Sequence, residues 1–548
     1  MNRPKRSLVR PTNGEPEKLY ELNQAPKPVP EKADELVAHG TALASNGNRA
    51  EAIKLLREAI RLRPDLAKAH HNLGVALSEE REYQQALASL RTALRLEPNY
   101  AEAHYNLGNT LGELDRCEEA VISFKAAIRR KPDYIDALNN LGLALTRLGR
   151  PEEAIVYLRQ AVRLKPDVPE GHNNLGLAYA ERGDFATAEA CYEQALRLNP
   201  SYVDAHTNLG SAFKERGRLD EAMASYELAL ALDPESVTTH WNRSLAWLQM
   251  GNYEHGWREY EWRWQRKETR AKPFAQPHWD GTPFPGRSIL VHLEQGMGDS
   301  IQFIRYMPMV KERGGTVVVA APPNLTSLLA SCPGIDQVVS EQEEPFLEDF
   351  QVPLLSLPAL LGTTVTTIPA NVPYLSANPD FIKRWEERLS SVPGLKVGVA
   401  WQGNPRHKWD RHRSFPLPLM EPLARAQGIA LVSLQKDIGS EQVALLKDRF
   451  AVIDFSSDLA DFTDTAALIQ CLDLVICCDT AVAHLAGALG VRVWVALSTI
   501  VDWRWLLNRD DSPWYPTMRL FRQERLGEWQ RVFERMAGEL EREVRSEE

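Results

Sequence analysis

No stretch of this 548-residue chain approaches the run of about 18 apolar residues that a membrane-spanning helix needs. Cysteine is scarce. The six, Cys117, Cys191, Cys332, Cys471, Cys477 and Cys478, stand among apolar neighbours, and none belongs to a CxxC pair. They read as free, buried thiols in a reducing cytoplasm rather than as a disulfide or zinc framework. Positive charge is not in excess either: the formal net charge is -10, which argues against an extended nucleic-acid surface. The opening "MNRPKRSLVRPTNGEPEK" is basic but lacks the apolar core of a secretory signal. With the proline-rich "APKPVPEK" behind it, residues 1–31 are expected to form a flexible tail. Two nucleotide fingerprints are missing as well. The GxG at 296–298 has no third glycine, and no GK[ST] follows it, so nicotinamide binding and ATP hydrolysis are both disfavoured.

What is present begins with a period. Prolines stand at 64, 98, 132, 166, 200 and 234, and glycines at 40, 74, 108, 142, 176 and 210, each series in steps of 34. Alanines repeat at the same step from 52 to 222 and from 59 to 229. This is the tetratricopeptide signature of paired helices. The small residues let the two helices of a unit approach closely, and proline ends the second helix because it lacks an amide hydrogen. Each unit exposes an apolar face that only a neighbour covers, so the units stack. Seven units are expected over residues 32–269. The last departs from the pattern: Ser244, Gly256 and Arg263 replace Gly, Ala and Ala, and Trp241, Trp247, Trp257, Trp262 and Trp264 appear. It reads as an end unit that docks onto something else.

A row of asparagines shares one repeat position: Asn72, Asn106, Asn140, Asn174, Asn208 and Asn242. An amide both donates and accepts, so such a row suits an extended peptide backbone; it equally suits bonds between neighbouring helices.

From residue 270 the period stops. "SILVHL", "TVVVAA" and "QVVS" read as buried strands of one lobe over 270–380. "KVGVAW", "ALVSLQ", "AVIDF", "DLVICCD" and "VRVWVAL" form a second series over 381–548, closed by a helix at about 526–547 that packs back across the lobes. Apolar runs separated by helices imply parallel sheets covered on both faces, with ligands expected at the C-terminal strand ends.

Four stretches stand at those ends. In "EQGMGDSI", Asp299 is placed to cap a helix or to serve as a catalytic carboxylate. In "AWQGNPRHKWDRHRS", His407, Lys408, Arg411, His412 and Arg413 make a basic loop beside Asn404, either solvated or suited to a diphosphate. In "CDTAVAHLAGALG", Asp479 and Thr480 are placed to cap a helix whose free amides attract an anion, and His484 lies one turn in. "VDWRWLLNRDDSPWYP" is too polar for a strand and reads as a lid or a platform for a sugar or base, with Asp510 and Asp511 a poor metal pair.

These stretches resemble the two-lobed glycosyltransferases of the lipopolysaccharide heptosyltransferase type. "GMGD" matches that family's loop after the first strand, and "DTAVAHLAGALG" matches its C-terminal segment except at Ala481, where glycine is usual. The asparagine row and the order of repeats before transferase resemble protein O-GlcNAc transferases and their bacterial relatives. The resemblance implies an α-solenoid followed by an α/β two-lobed GT-B fold. It implies a nucleotide-diphosphate sugar donor, Asp299 as general base and Lys408 beside the leaving diphosphate. Gly298, Asn404, Arg411, Arg413, Asp479, Thr480, Ala481 and His484 would be the donor contacts, and the six asparagines would hold a protein or peptide acceptor. Transfer would be inverting, and with no DxD at a strand end, neither a metal nor another cofactor is expected. Two other readings stand beside it: a non-catalytic repeat scaffold with a degenerate transferase, and an enzyme directed at glycan or lipid. The donor is UDP-sugar on one likeness and ADP-heptose on the other.

Overall fold

The computed structural model describes residues 29–266, 269, 274–342, 346–405, 407, 409–446 and 448–547. Nearly all of the expected tail lies outside them, as do Lys408 and most of the expected boundary at 269/270. Helix begins already at Val29. By compactness the chain divides into residues 1–148 and 149–548.

The first unit holds the helix pairs of three repeats and the first helix of a fourth, ending at Arg147. The second unit continues from Pro151–Leu164 with the rest of the helical pairs, down to Val237–Gln249 and Tyr253–Tyr260. The second helices end at Leu62, Leu96, Arg130, Leu164, Leu198 and Leu232, two residues ahead of each periodic proline. Proline disfavours the helical conformation of the residue before it, so the helix stops there. The periodic glycines are contact points. A β-carbon on Gly108 would stand 2.5 Å from the Phe124 ring, and one on Gly176 would stand 2.5 Å from Tyr192, each in the second helix of the same repeat.

The rest of the second unit carries two parallel sheets. In the first, β1 (Ser288–His292), β2 (Thr316–Ala321), β3 (Gln337–Ser340) and β4 (Phe350–Pro353) lie in the order β3-β2-β1-β4. In the second, β5 (Leu395–Ala400), β6 (Ile429–Ser433), β7 (Ile453–Asp454), β8 (Leu474–Cys478), β9 (Val493–Leu497) and β10 (Met518–Arg522) lie in the order β10-β9-β8-β5-β6-β7. β1 pairs β2 with Ile289 opposite Val317, and β5 pairs β8 with Val399 opposite Ile476. The chain order reverses between β1 and β4 in one sheet and between β5 and β8 in the other. Such switch points open a crevice at the C-terminal strand ends.

Three expectations need correction. β4 and β10 are strands that the apolar pattern did not announce. The closing helix, Trp529–Glu547, stays on the second lobe, with Trp529, Phe533, Met536 and Leu540 packed among Phe415, Leu417 and Leu423. The tryptophan-rich stretch is neither lid nor platform: Trp503, Trp505 and Trp514 are 5%, 0% and 0% exposed. They belong to one apolar core that runs from Tyr253 and Trp257 of the seventh repeat through Ile289 and Phe303 to Val432 and Val475. Trp257 meets Trp503 edge-on at 5.1 Å and Phe303 at 5.8 Å. Asp511 pairs with Arg509 at 2.6 Å, and among the described residues no cluster of His, Cys, Asp and Glu has metal-binding geometry.

The glycine contacts are measurable. Gly108→Ala drives a methyl into the Phe124 ring and should destabilise the chain by about 1–3 kcal/mol. Gly112→Ala, where no atom lies within 4 Å, should be neutral or stabilise by up to about 1 kcal/mol. Denaturant unfolding of the two variants side by side reads the difference.

Candidate active site

β1 ends in the "EQGMGD" loop, which turns directly into the helix Met297–Phe303. Asp299 sits at the third position of that helix, not at its cap. Gly296 is the cap residue, and its amide donates to Asp299 Oδ2 at 2.9 Å. The other carboxylate oxygen, Oδ1, receives Arg504 Nη2. Arg504 comes from the opposite lobe, in the segment after β9. It also donates to Gln302 Oε1 through Nε at 2.6 Å and to Asp502 Oδ1 through Nη1 at 2.9 Å. Its side chain is 9% exposed and that of Asp299 19%. A guanidinium desolvated this far keeps its charge because two carboxylates face it, and Asp502 and Asp299 hold its pKa well above the ordinary value against the burial. For Asp502 burial raises the carboxyl pKa, but Arg504 outweighs it and the net shift is downward.

β8 ends at Cys478; Asp479 and Thr480 follow, and then the helix Ala481–Ala488. Thr480 is the cap residue by position, yet its hydroxyl makes no capping bond. Thr480 Oγ1 is buried with no partner among the described residues. The sequence expectation of a side-chain cap therefore fails, and a hydroxyl stands unused beside a helix N-terminus, a fitting place for an anion's oxygen. Burial raises the Asp479 carboxyl pKa and Asp502 adds to it, while Arg413 pulls it back. His484 is 5% exposed; its Nδ1 lies 3.0 Å from the Tyr515 hydroxyl and its ring stacks at 5.5 Å on Trp505. Burial first, and then Arg504, bring its pKa down to about 3. It therefore enters any chemistry near neutral pH as an uncharged imidazole.

The two motifs meet. A β-carbon on Gly298 would stand 3.1 Å from His484 Cδ2 and 3.5 Å from Ala481 Cα. Glycine is what lets the loop of one lobe approach the helix start of the other.

The basic loop after β5 divides. Arg413 Nε donates to buried Asp410 at 3.3 Å, and its charge reaches Asp479 and His484. Arg411 turns away: its Nη2 donates to Glu181 of the fifth repeat at 2.9 Å, so the structure does not bring it to the site. His407 lies within the fields of Asp299 and Asp502, with burial and then Arg413 lowering its pKa. Asn404 is exposed on the same loop. Lys408 has no described position.

The six asparagines are half-buried. In the first unit Asn72 Nδ2 donates to Thr41 at 2.7 Å, Asn106 Nδ2 meets His71 at 2.8 Å, and Asn140 Nδ2 donates to Asn109 at 2.8 Å. In the second unit Asn208 Nδ2 donates to Asn173 at 2.9 Å and Asn242 Nδ2 to Ser211 at 3.1 Å. Each partner belongs to the preceding repeat. The amide N–H groups of these five thus tie repeats together, and the Asn72 carbonyl oxygen is engaged as well, 2.9 Å from His71 Nδ1. Asn174 holds the same helix position.

Sequence reasoning missed Arg504, Asp502 and Gln302. The "DWRW" string was the available signal, an arginine and an aspartate inside a tryptophan run, but it read as a lid or a platform.

Residues 40–80 and 79–115, and then 105–169 and 173–254, match models of the tetratricopeptide repeat. Residues 419–497 match the model of glycosyltransferase family 9 (heptosyltransferase), a span that holds Asp479, Thr480, Ala481 and His484. The curated protein FlbA of Caulobacter vibrioides is 28% identical over 314 residues, which cover 52% of each protein. The chain thus spans about half the length of that relative. Among solved structures, the tetratricopeptide protein YrrB, with "an unusual peptide-binding site", is 26% identical at a TM-score of 0.30, covering 34% of this chain and 95% of that one. A tetratricopeptide repeat protein from Parabacteroides merdae is 18% identical at a TM-score of 0.38, covering 42% and 91%. The chain therefore carries tetratricopeptide repeats ahead of a segment, residues 419–497, that is similar to glycosyltransferase family 9.

The His484 pKa carries a sign that can be checked. Unfolded histidine titrates near about 6.5, so between that pH and about 3 the unfolded chain binds a proton that folded His484 refuses. Stability from this residue is then lost as pH falls through the window, at up to about 1.4 kcal/mol per pH unit. His484→Gln should flatten the fall in melting temperature between pH 6.5 and pH 4, and an unchanged slope would count against the assignment.

Proposed function

We propose that this chain transfers a sugar from a nucleotide-diphosphate donor to a hydroxyl of a protein held by its repeats, with inversion and without a metal. The observation that carries this reading is the apposition of Gly298–Asp299 from one lobe with Ala481–His484 from the other, bridged by Arg504. The short distance from Gly298 to Ala481 supports a donor held between the carboxylate-bearing helix and the start of the helix Ala481–Ala488. The donor's diphosphate lies at the start of the helix Ala481–Ala488, where backbone amides, the Thr480 hydroxyl and Arg413 offset its charge. Lys408, by its place in the sequence, joins them. The acceptor oxygen attacks the anomeric carbon as its proton passes to Asp299. The bond from that carbon to the diphosphate oxygen breaks, and its electron pair leaves with the nucleoside diphosphate. The asparagine carbonyls from Asn106 onward receive backbone N–H groups of the acceptor polypeptide; that of Asn72 is taken by His71.

One observation favours a different role for Asp299. Both its oxygens are engaged, one by the Gly296 amide and one by Arg504. On that reading the carboxylate only holds the two lobes together, and the transferase half serves as a scaffold.

Thermal stabilisation and donor hydrolysis, measured over a panel of UDP-, GDP- and ADP-sugars, separate the readings. At least one sugar should stabilise the chain and be hydrolysed; a flat panel rejects the enzyme. Asp299→Asn should lower turnover by about a hundredfold or more with donor binding nearly intact. If turnover holds, Asp299 is not the base. Changing Asn140, Asn174 and Asn208 together to Ala should reduce transfer to protein acceptors and leave donor hydrolysis unchanged. Equal transfer by that variant and the parent would remove the asparagines from acceptor binding.

A further inference from the structure

The loop that carries Asp299 is held by the seventh repeat. Gln295, directly before Gly296, has φ +63°, in the left-handed region that non-glycine residues avoid. Its side-chain amide donates to the Tyr260 hydroxyl at 2.9 Å. Tyr260 ends the second helix of the seventh repeat and is 2% exposed, its ring wedged edge-on against Trp257 at 5.7 Å and tilted on Trp241 at 4.8 Å. The phenol therefore has little freedom to follow the loop if the loop moves. One residue earlier, Glu294 accepts both Nε and Nη2 of Arg263, at 3.0 and 2.8 Å. Arg263 is wholly buried and also donates to Glu261 at 2.6 Å and Ser356 at 2.8 Å. It stands where the six earlier repeats have alanine. Two successive residues of the loop are thus gripped by side chains of the repeat array, and the next residue, Gly296, donates its amide to Asp299.

We propose that the seventh repeat is a working part of the transferase site, with Tyr260 and Arg263 as positioning residues that set the backbone at Gln295 and, through Gly296, the carboxylate of Asp299. The proposal rests on the reading of Asp299 as base. A repeat that only docked would need apolar contact, and Trp257 and Tyr253 already supply it. The added ion pair and the phenol instead fall on the loop, at the point where the backbone is strained. Buried ion pairs of this kind rarely add stability over an apolar replacement, so their use here lies in fixing geometry.

Tyr260→Phe keeps the ring packing and removes the hydroxyl. In the full chain it should raise hydrogen–deuterium exchange over residues 294–300 about tenfold and leave the repeats and the second lobe unchanged. With UDP-N-acetylglucosamine or ADP-heptose as donor and water as acceptor, kcat should fall about tenfold to a hundredfold, with the donor KM within about twofold. Gln295→Ala should match it, and the double variant should be no worse than either alone. Gln295→Gly, which relieves the strained φ, should lose less than Gln295→Ala. In an Asp299→Asn background, Tyr260→Phe should change kcat no further. Unchanged exchange in both Tyr260→Phe and Gln295→Ala overturns the proposal, and so does raised exchange with parental kcat. A rise in KM together with a matching loss of kcat, or a further loss in the Asp299→Asn background, overturns it too, because it shows general weakening. Failure of Tyr260→Phe to fold leaves Gln295→Ala and Gln295→Gly to decide by the same readings. If instead Asp299→Asn turns over normally, the base reading has failed, and the exchange result stands apart from it.

Discussion

The buried guanidinium of Arg504 holds the two lobes in register, with that of Arg305 reaching the other way to the Trp514 carbonyl. It reaches from the segment after β9 to Asp299 and Gln302 on the helix after β1, and its charge is balanced by Asp502 beside it. Stripping an arginine of water costs several kcal/mol unless its N–H groups find anionic or polar acceptors. Here three acceptors are present, and two of them belong to the other lobe. The lobes cannot part at this point without leaving a buried charge unpaired. The approach of Gly298 to Ala481, the stacking of Trp505 on His484 and the burial of Trp503 all sit within this frame.

The same logic extends into the repeats. The seventh repeat supplies Tyr253 and Trp257 to the core of the two-sheet half, and Arg263 to a buried ion pair with Glu294. The fifth repeat reaches the second lobe through Glu181 and Arg411. The end of the periodic sequence is therefore not a physical boundary. The loss of Gly, Ala and Ala at 244, 256 and 263 marks where side chains stop serving repeat-to-repeat packing and start serving the two-sheet half.

Much of the fold was legible because its signals are local. A 34-residue step in glycine, alanine and proline is a direct record of helix contact and helix end. β1, β2, β5, β8 and β9 announced themselves as unbroken apolar runs because both faces of a central parallel strand are covered. β4 and β10 did not. β4 carries Gln351 and Pro353 within four residues, and β10 carries Arg519 and Arg522 within five at the sheet edge. The site was partly legible. The GMGD loop and the DTAVAHL segment stood out by pattern, and the structure brings them into contact. Arg504 was hidden inside a tryptophan run that read as a lid or platform, because nothing local distinguishes a tryptophan that packs inward from one that waits for a ligand. Arg411 misled for the opposite reason: it shares a short basic loop with Arg413, yet one turn of backbone sends it toward Glu181.

Sequence alone determined the repeats, their helix ends, the parallel character of both sheets and the two motifs at the strand ends, since each depends on residues close together in the chain. Tertiary structure alone decided which side chains complete the site. Asp299 and Arg504 are 205 residues apart, and Arg263 and Ser356 are 93 apart. It also decided that the asparagine amides are spent between repeats and that the Thr480 hydroxyl is left open. A hydrogen bond depends on direction and distance to within a few tenths of an ångström, and a sequence pattern carries neither for partners that folding alone brings together.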